Sequence, residues 1–317
     1  MYGLMPECSL EMPDSYYGLD DYEKGVARWC SGCGDHAVLS AVQRMCREKQ
    51  LPPEKTVFVS GIGCSSRFPH YMDTYGFHGL HGRAFPVACG VKFRRPDLNV
   101  FVVTGDGDCC SIGAGHWVHG VRYNMDITVL LFDNEIYGMT KKQTSPTSPL
   151  GTKSNTHPTG SVLPPVDILQ TTLGLSNVSF VAQTTDWVPG HLYATIKKAH
   201  EHPGFAFVKI MMRCPKFMQD LVDQHTSNRD LYSLLEHDDG IQVDPATSQL
   251  FENKVKHDPS NIHNARELLE NGKSWYLGLL YQNQEAIRYD LYGSQNLGFS
   301  TDQKMEALET ELDKFAI

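Results

Sequence analysis

Long apolar runs are missing from this chain of 317 residues, none approaching the roughly eighteen uninterrupted apolar residues of a membrane span. The opening MYGLMPECSLEMPDS lacks the basic-then-apolar layout of a signal peptide, so a cytoplasmic protein with no membrane contact is expected. Basic charge is scarce: 28 Lys and Arg stand against 37 Asp and Glu, a net of -9. That balance argues against nucleic acid, whose phosphates need a basic surface. There is no internal repeat, which excludes repeat architectures. Nine cysteines are present, but without the small secreted setting of a disulfide scaffold they point to thiols or metal ligands.

What is present reads as one large domain, 1–217, with an extension over 218–317. The hydrophobic content of 41% supports a sizeable core. Charge marks the boundary, since from Asp220 onward 18 residues are acidic and 8 basic, the pattern of a solvated acidic surface. Before it, helical spacing of Val38, Val42, Met45 and Lys49 predicts a helix over 34–49. Apolar runs predict buried strands at 56–60, 99–104, 127–132, 178–182 and 205–210, with a helix over 188–200. Alternating strands and helices imply an α/β fold, a mostly parallel sheet with helices on both faces, where ligands bind beyond the strand carboxyl ends. The Ser-, Thr-, Pro- and Gly-rich stretch 140–165 is a long loop with a functional role expected. Beyond Lys216, helical fragments among Asp-, Asn- and Gly-rich loops suggest an irregular arm that wraps a partner.

Two constellations carry chemistry. Cys30 and Cys33 form a C-x-x-C pair, and Cys64 at a strand end and Cys214 after the last predicted strand could complete four ligands for zinc or an iron-sulfur cluster. Spacing alone does not separate these metals. Cys46, Cys89, Cys109 and Cys110 read as small buried hydrophobes. The second constellation is Gly105-Asp106-Gly107, followed one strand-helix-strand crossover later by Asn134. The carboxylate and the amide oxygen then face each other, with the carbonyl of Ile136 as a third oxygen. This suits magnesium, which takes a few protein oxygens and fills its other positions from water or phosphate. His70, His78, His116 and His119 read as structural.

These motifs, in the order WCSGCGDH, SGIGCSSRFPHYM, LHGRAFPVACGVKFRRPDL, VTGDGDCCSIGAGHWVHGVRYN and DNEIYGMTKKQTSPTS, resemble the beta subunits of 2-oxoacid:ferredoxin oxidoreductases, within the wider thiamine-diphosphate superfamily. The resemblance implies a thiamine-diphosphate-binding fold of the diphosphate-half type. It implies that Cys30, Cys33, Cys64 and Cys214 hold one [4Fe-4S] cluster, and that Asp106, Asn134 and the Ile136 carbonyl bind Mg2+. By the same matching, Ile62, Gly63, Cys64, Ser65, His81, Gly82, Arg83, Gly107, Asp108, Gly138 and Met139 line the thiamine site. Arg67 takes the place of a basic residue that clamps the substrate carboxylate. The family more often has Pro at Ser31, Leu at Met139 and Gly at Lys142, departures that bear on the substrate.

The implied reaction is oxidative decarboxylation of a 2-oxoacid, with coenzyme A accepting the acyl group and ferredoxin the electrons. The segments HGRAFPVACGVK and TKKQTSPTS look most like subunits acting on 2-oxoglutarate, while pyruvate and branched-chain 2-oxoacids stay open. A non-redox thiamine enzyme would leave four cysteines without purpose, and a non-catalytic module with a structural zinc on the same cysteines stays open, to be told from a brown iron-sulfur protein by its lack of colour. Such enzymes also need a Glu at the aminopyrimidine ring, usually from a second α/β domain that this chain lacks. Glu48, Glu54 and Glu135, the only Glu residues from the cysteine motif to the end of the long loop, do not fit that pattern. The resemblance therefore implies an alpha subunit that supplies it, in an (alpha-beta)2 assembly.

Overall fold

The computed structural model describes residues 16–272, 275–293 and 300–315. Among these described residues nine strands form one sheet in the order β2-β1-β3-β4-β6-β5-β9-β7-β8. The first six are β1 (Thr56–Ser60), β2 (Tyr75–His78), β3 (Asn99–Gly105), β4 (Ile127–Asp133), β5 (Phe180–Thr185) and β6 (Phe205–Met211). All six run parallel.

The apolar runs are continuous because most of these strands are buried on both faces. Phe58, Phe101 and Leu130 pack on one face against Val38, Val42 and Met45 of α1 (Asp35–Glu48) and Leu192 and Ile196 of α5 (Pro189–His200). Their neighbours Val57, Val59, Val100, Val102 and Val129 pack on the other. That second face is covered by α2 (Ala84–Arg94), α3 (Ala114–Tyr123), α4 (Ile168–Leu173) and α6 (Ile262–Glu270), through Phe85, Trp117, Leu169 and Ala265. The sheet with helices on both faces is as the sequence reading has it.

Two differences stand out. β5 begins at Phe180 rather than 178, because Asn177 takes a left-handed φ of 65° and the chain straightens only where Phe180 pairs with Ala206. More substantially, the irregular arm expected beyond Lys216 contains three strands of the sheet: β7 (Tyr232–Glu236), β8 (Asn253–Lys256) and β9 (Trp275–Gln282). β9 lies antiparallel to β5 and parallel to β7, and Leu235, Ala265, Tyr276 and Leu280 join the core of the second face. Polar connections rich in Asp and Asn hid these strands, the outermost of which is an edge carrying Lys254 and Lys256. No helix among the described residues is long and apolar enough to cross a membrane.

Candidate functional site

The carboxyl ends of β1, β3 and β4 meet at one pocket. Its lining includes Asp106, Asn134 and Ile136 together with Ile62, Gly63, Cys64, Ser65, His81, Gly107, Asp108, Gly138 and Met139. The pairing of Gly105 with Phe132 in the β3–β4 ladder sets Asp106 beside the start of the Asn134 loop. Asn134 Oδ1 accepts the Ile136 N–H at 3.2 Å, which folds that loop tightly at the pocket wall. Gly107 is required by close approach, since a Cβ there would run into the Tyr137 ring, and the Tyr137 hydroxyl donates to the Gly107 carbonyl at 3.0 Å.

Asp108 ties the pocket together. Its carboxylate accepts the backbone N–H of Ile62 at 3.0 Å and of Gly82 at 2.7 Å, and the Thr104 hydroxyl at 2.8 Å. His81 Nδ1 lies 2.6 Å from the same carboxylate. Three separate segments are thereby pinned to one side chain. Gly82 and Arg83 stand behind the lining: Gly82 has a left-handed φ of 70° against Gly113, and Arg83 donates to the carbonyls of His81 and Ile112.

Of the four cysteines of the first constellation, Cys64 lines the pocket, Cys214 stands beside it, and the Cys30–Cys33 turn adjoins both of their segments. The Trp29 indole donates to the Cys64 carbonyl at 2.7 Å, and the Gly34 N–H to the Arg213 carbonyl at 3.3 Å, so the Cys30–Cys33 turn is held against both other cysteine segments. A Cβ on Gly138 would meet Cys64 Sγ at 3.4 Å and Cys214 Sγ at 3.9 Å, which places both sulfurs at the pocket wall. Burial pushes the Cys64 thiol up to about 12 and raises Cys33 and Cys214, each further lifted by neighbouring Asp35 and, for Cys64 and Cys214, by one another or Cys30. Burial favours their protonated form, so a metal would have to displace those protons. All eight described cysteines are free, and Cys8 lies outside the described residues. Among the described residues no three Cys, His, Asp or Glu side chains converge on a single-ion site.

Arg67 is half-buried beside the cysteines. It donates to the Arg28 carbonyl at 3.1 Å, and its guanidinium lies 5.7 Å from the Tyr71 ring centroid, outside the pocket lining. His70, His78, His116 and His119 also stand outside it.

The lining holds residues that sequence reasoning did not assign to the site: Asp35, Phe132, Tyr137 and Thr140. Asp35, first residue of α1, is 2% exposed with an unpartnered Oδ2, and burial pushes its carboxyl up to about 7. Its place directly after the C-x-x-C turn was the signal available. Beneath the pocket the long loop returns, and the Thr147 hydroxyl lies 2.9 Å from Asp106 Oδ2 and 2.8 Å from Asp133 Oδ1. Burial, with Asp133 beside it, raises the Asp106 carboxyl well above the usual range. An ionised Asp106 therefore calls for a cation. The oxygens of Asp106, Asn134 and Ile136 fit magnesium holding a diphosphate, and Cys64 and Cys214 beside them, with Cys30 and Cys33 on the adjoining turn, are ligands of the type an iron-sulfur cluster takes.

A family model described as the thiamine pyrophosphate enzyme C-terminal TPP binding domain matches residues 61–210. The 2-oxoglutarate oxidoreductase subunit KorB of Mycobacterium tuberculosis is 46% identical over 200 residues, 63% of this chain and 53% of that subunit, so the match spans about half the length of that relative. The 2-oxoacid:ferredoxin oxidoreductase subunit beta of Saccharolobus solfataricus is 35% identical over 264 residues, 83% of this chain and 84% of that one. Among solved structures, 2-oxoglutarate:ferredoxin oxidoreductase from Magnetococcus marinus, with 2-oxoglutarate, coenzyme A and succinyl-CoA bound, superposes with a TM-score of 0.78 at 36% identity. That match covers 94% of this chain and 97% of the other.

Proposed function

The chain belongs to the beta subunits of the 2-oxoacid:ferredoxin oxidoreductases, and from that premise we propose that it converts 2-oxoglutarate and coenzyme A to succinyl-CoA and carbon dioxide, or the reverse, passing electrons to ferredoxin. The observation that carries this reading is the adjacency of the two constellations. The pocket bearing Asp106, Asn134 and Ile136 also has Cys64 in its wall, with Cys214 Sγ beside it at Gly138.

Bound there, thiamine diphosphate would supply the electron sink for decarboxylation, and a [4Fe-4S] cluster would supply one-electron redox chemistry. Asp106, Asn134 and the Ile136 carbonyl would hold Mg2+ against the diphosphate. Gly107 leaves room for the Tyr137 ring at the pocket wall, and Asp108 keeps Ile62 and His81 in place. Cys30, Cys33, Cys64 and Cys214 would hold the cluster. Arg67, close to Cys64, would grip the substrate carboxylate once the pocket is completed.

Completion requires a partner. No Glu is among the described residues lining the pocket, and Glu135 turns an inaccessible Oε2 away from solvent, near Asp133 and Lys209. The activating carboxylate would come from an alpha subunit, in an (alpha-beta)2 assembly. The test is anaerobic purification of the chain alone and with the product of a neighbouring alpha gene, followed by viologen reduction with 2-oxoglutarate, pyruvate and branched-chain 2-oxoacids. The expected result is a brown, inactive single chain and a complex that favours 2-oxoglutarate. Turnover by the homogeneous single chain would overturn the subunit assignment, and a preference for pyruvate the substrate.

A further inference from the structure

Beneath the pocket the Lys209 ammonium is neighboured by the carboxyl groups of Asp133, Glu135 and Asp167, and Asp133 leads on to Asp106. Lys209 is delivered by β6, whose ladder with β4 pairs it with Leu131, two residues before Asp133. Its Nζ lies 3.2 Å from Asp133 Oδ2, with side chains 17% and 3% exposed. The other oxygen of Asp133 faces the Thr147 hydroxyl, which faces Asp106. An unbroken line of three polar contacts thus runs from Lys209 to the magnesium carboxylate. Glu135, held at a left-handed φ of 58° with an unpartnered Oε2, adds a second buried carboxyl near the ammonium.

A buried ion pair by itself is weak evidence of anything, because desolvation offsets much of the attraction. Here one member of the pair shares a hydroxyl with a metal ligand. Without Lys209, Asp133 would face Asp106 across Thr147 as an uncompensated buried charge, and the geometry of the ligand would depend on their repulsion. We infer that Lys209 is a positioning residue for the magnesium-diphosphate site, acting through Asp133 and Thr147 to fix the Asp106 carboxylate without touching metal or substrate. The inference rests on the thiamine reading.

The test is calorimetric titration of Mg2+ into the full chain, purified anaerobically and freed of Mg2+, at one fixed concentration of thiamine diphosphate, with the heat of Mg2+ binding to the free cofactor subtracted. Lys209→Met should raise the Mg2+ dissociation constant about 10- to 100-fold, as loss of partners behind a metal ligand does. Lys209→Arg should keep most of the affinity. The double variant Lys209→Met/Asp133→Asn, which removes both charges, should bind more tightly than Lys209→Met alone, a recovery that a packing role does not predict. Thr147→Val, which cuts the line without stranding a buried charge, should also weaken Mg2+ and carries the test if Lys209→Met does not fold. Wild-type affinity in either folded Lys209→Met or Thr147→Val overturns the inference alone. A wild-type chain that takes up no magnesium-thiamine diphosphate overturns the functional reading and the inference with it.

Discussion

The two ends of the sheet are built from similar material and used differently. At β1, β3 and β4 the strand ends deliver Gly61, Gly105-Asp106-Gly107 and Asn134, residues that allow close approach or bear a ligand oxygen. At β7 and β8 the chain ends in Glu236 and Lys256, with Lys254 paired to Glu236 at 3.3 Å. β2, on the other outer edge, is exposed along its whole length, whereas β5 would be an open inner edge without β9. The C-terminal strands thus seal a sheet whose chemistry lies elsewhere. Residues that position ligands and residues that close edges should be separable by mutation.

The largest effect expected on the site side is that of Asp106→Ala. It removes the charged magnesium oxygen and should take thiamine diphosphate binding below detection in calorimetry, with iron content and unfolding midpoint near those of the wild type. Lost iron together with lost cofactor would mean that the two constellations fold as one unit. On the sealing side, Leu280→Ala empties a fully buried position of β9 and should cost about 2–5 kcal/mol of stability by chemical denaturation. Magnesium and thiamine diphosphate affinities of the folded variant should stay within a few-fold of wild type. A large loss of affinity would erase the distinction between the halves.

The same contrast explains what the sequence made legible. Strands buried on both faces announce themselves as TVFVS, NVFVVT and ITVLLF, and their end residues announce the site. The helices α1 and α5 were visible through Val38, Val42, Leu192 and Ile196. By contrast β8, NKVK, is an exposed edge with a single half-buried apolar residue, and β9, WYLGLLYQ, is an apolar run isolated between polar loops. In the site, ligand types follow from local chemistry, so Asp106, Asn134 and the cysteines could be read. Asp108 as a tie between three segments, Thr147 under Asp106 and Lys209 beside Asp133 depend on contacts between residues 14 to 76 apart in sequence. No spacing rule reports those.

The smallest effect expected is a pH dependence at the seam between the two regions. His191 of α5 is wholly buried. Its Nδ1 lies 2.8 Å from the Thr184 hydroxyl of β5, and its ring meets Phe251 of the C-terminal region edge-on at 6.2 Å. Burial, with His237 as a second cause, lowers its pKa from 6.5 to about 4. The unfolded chain therefore binds this proton more readily than the folded one between those values, so its contribution is fully present above pH 6.5 and is lost as pH falls toward 4. The raised carboxyls of Asp35, Asp106 and Glu135 act in the opposite sense over part of the same range, so the curve of the whole chain mixes the two. The difference between wild type and His191→Gln isolates the imidazole. Between pH 7.5 and 5 the stability advantage of the wild type should shrink by about 1–2 kcal/mol, measured by urea denaturation at each pH. Parallel curves would show that His191 opens to solvent, and that the seam is looser than the sheet on either side of it.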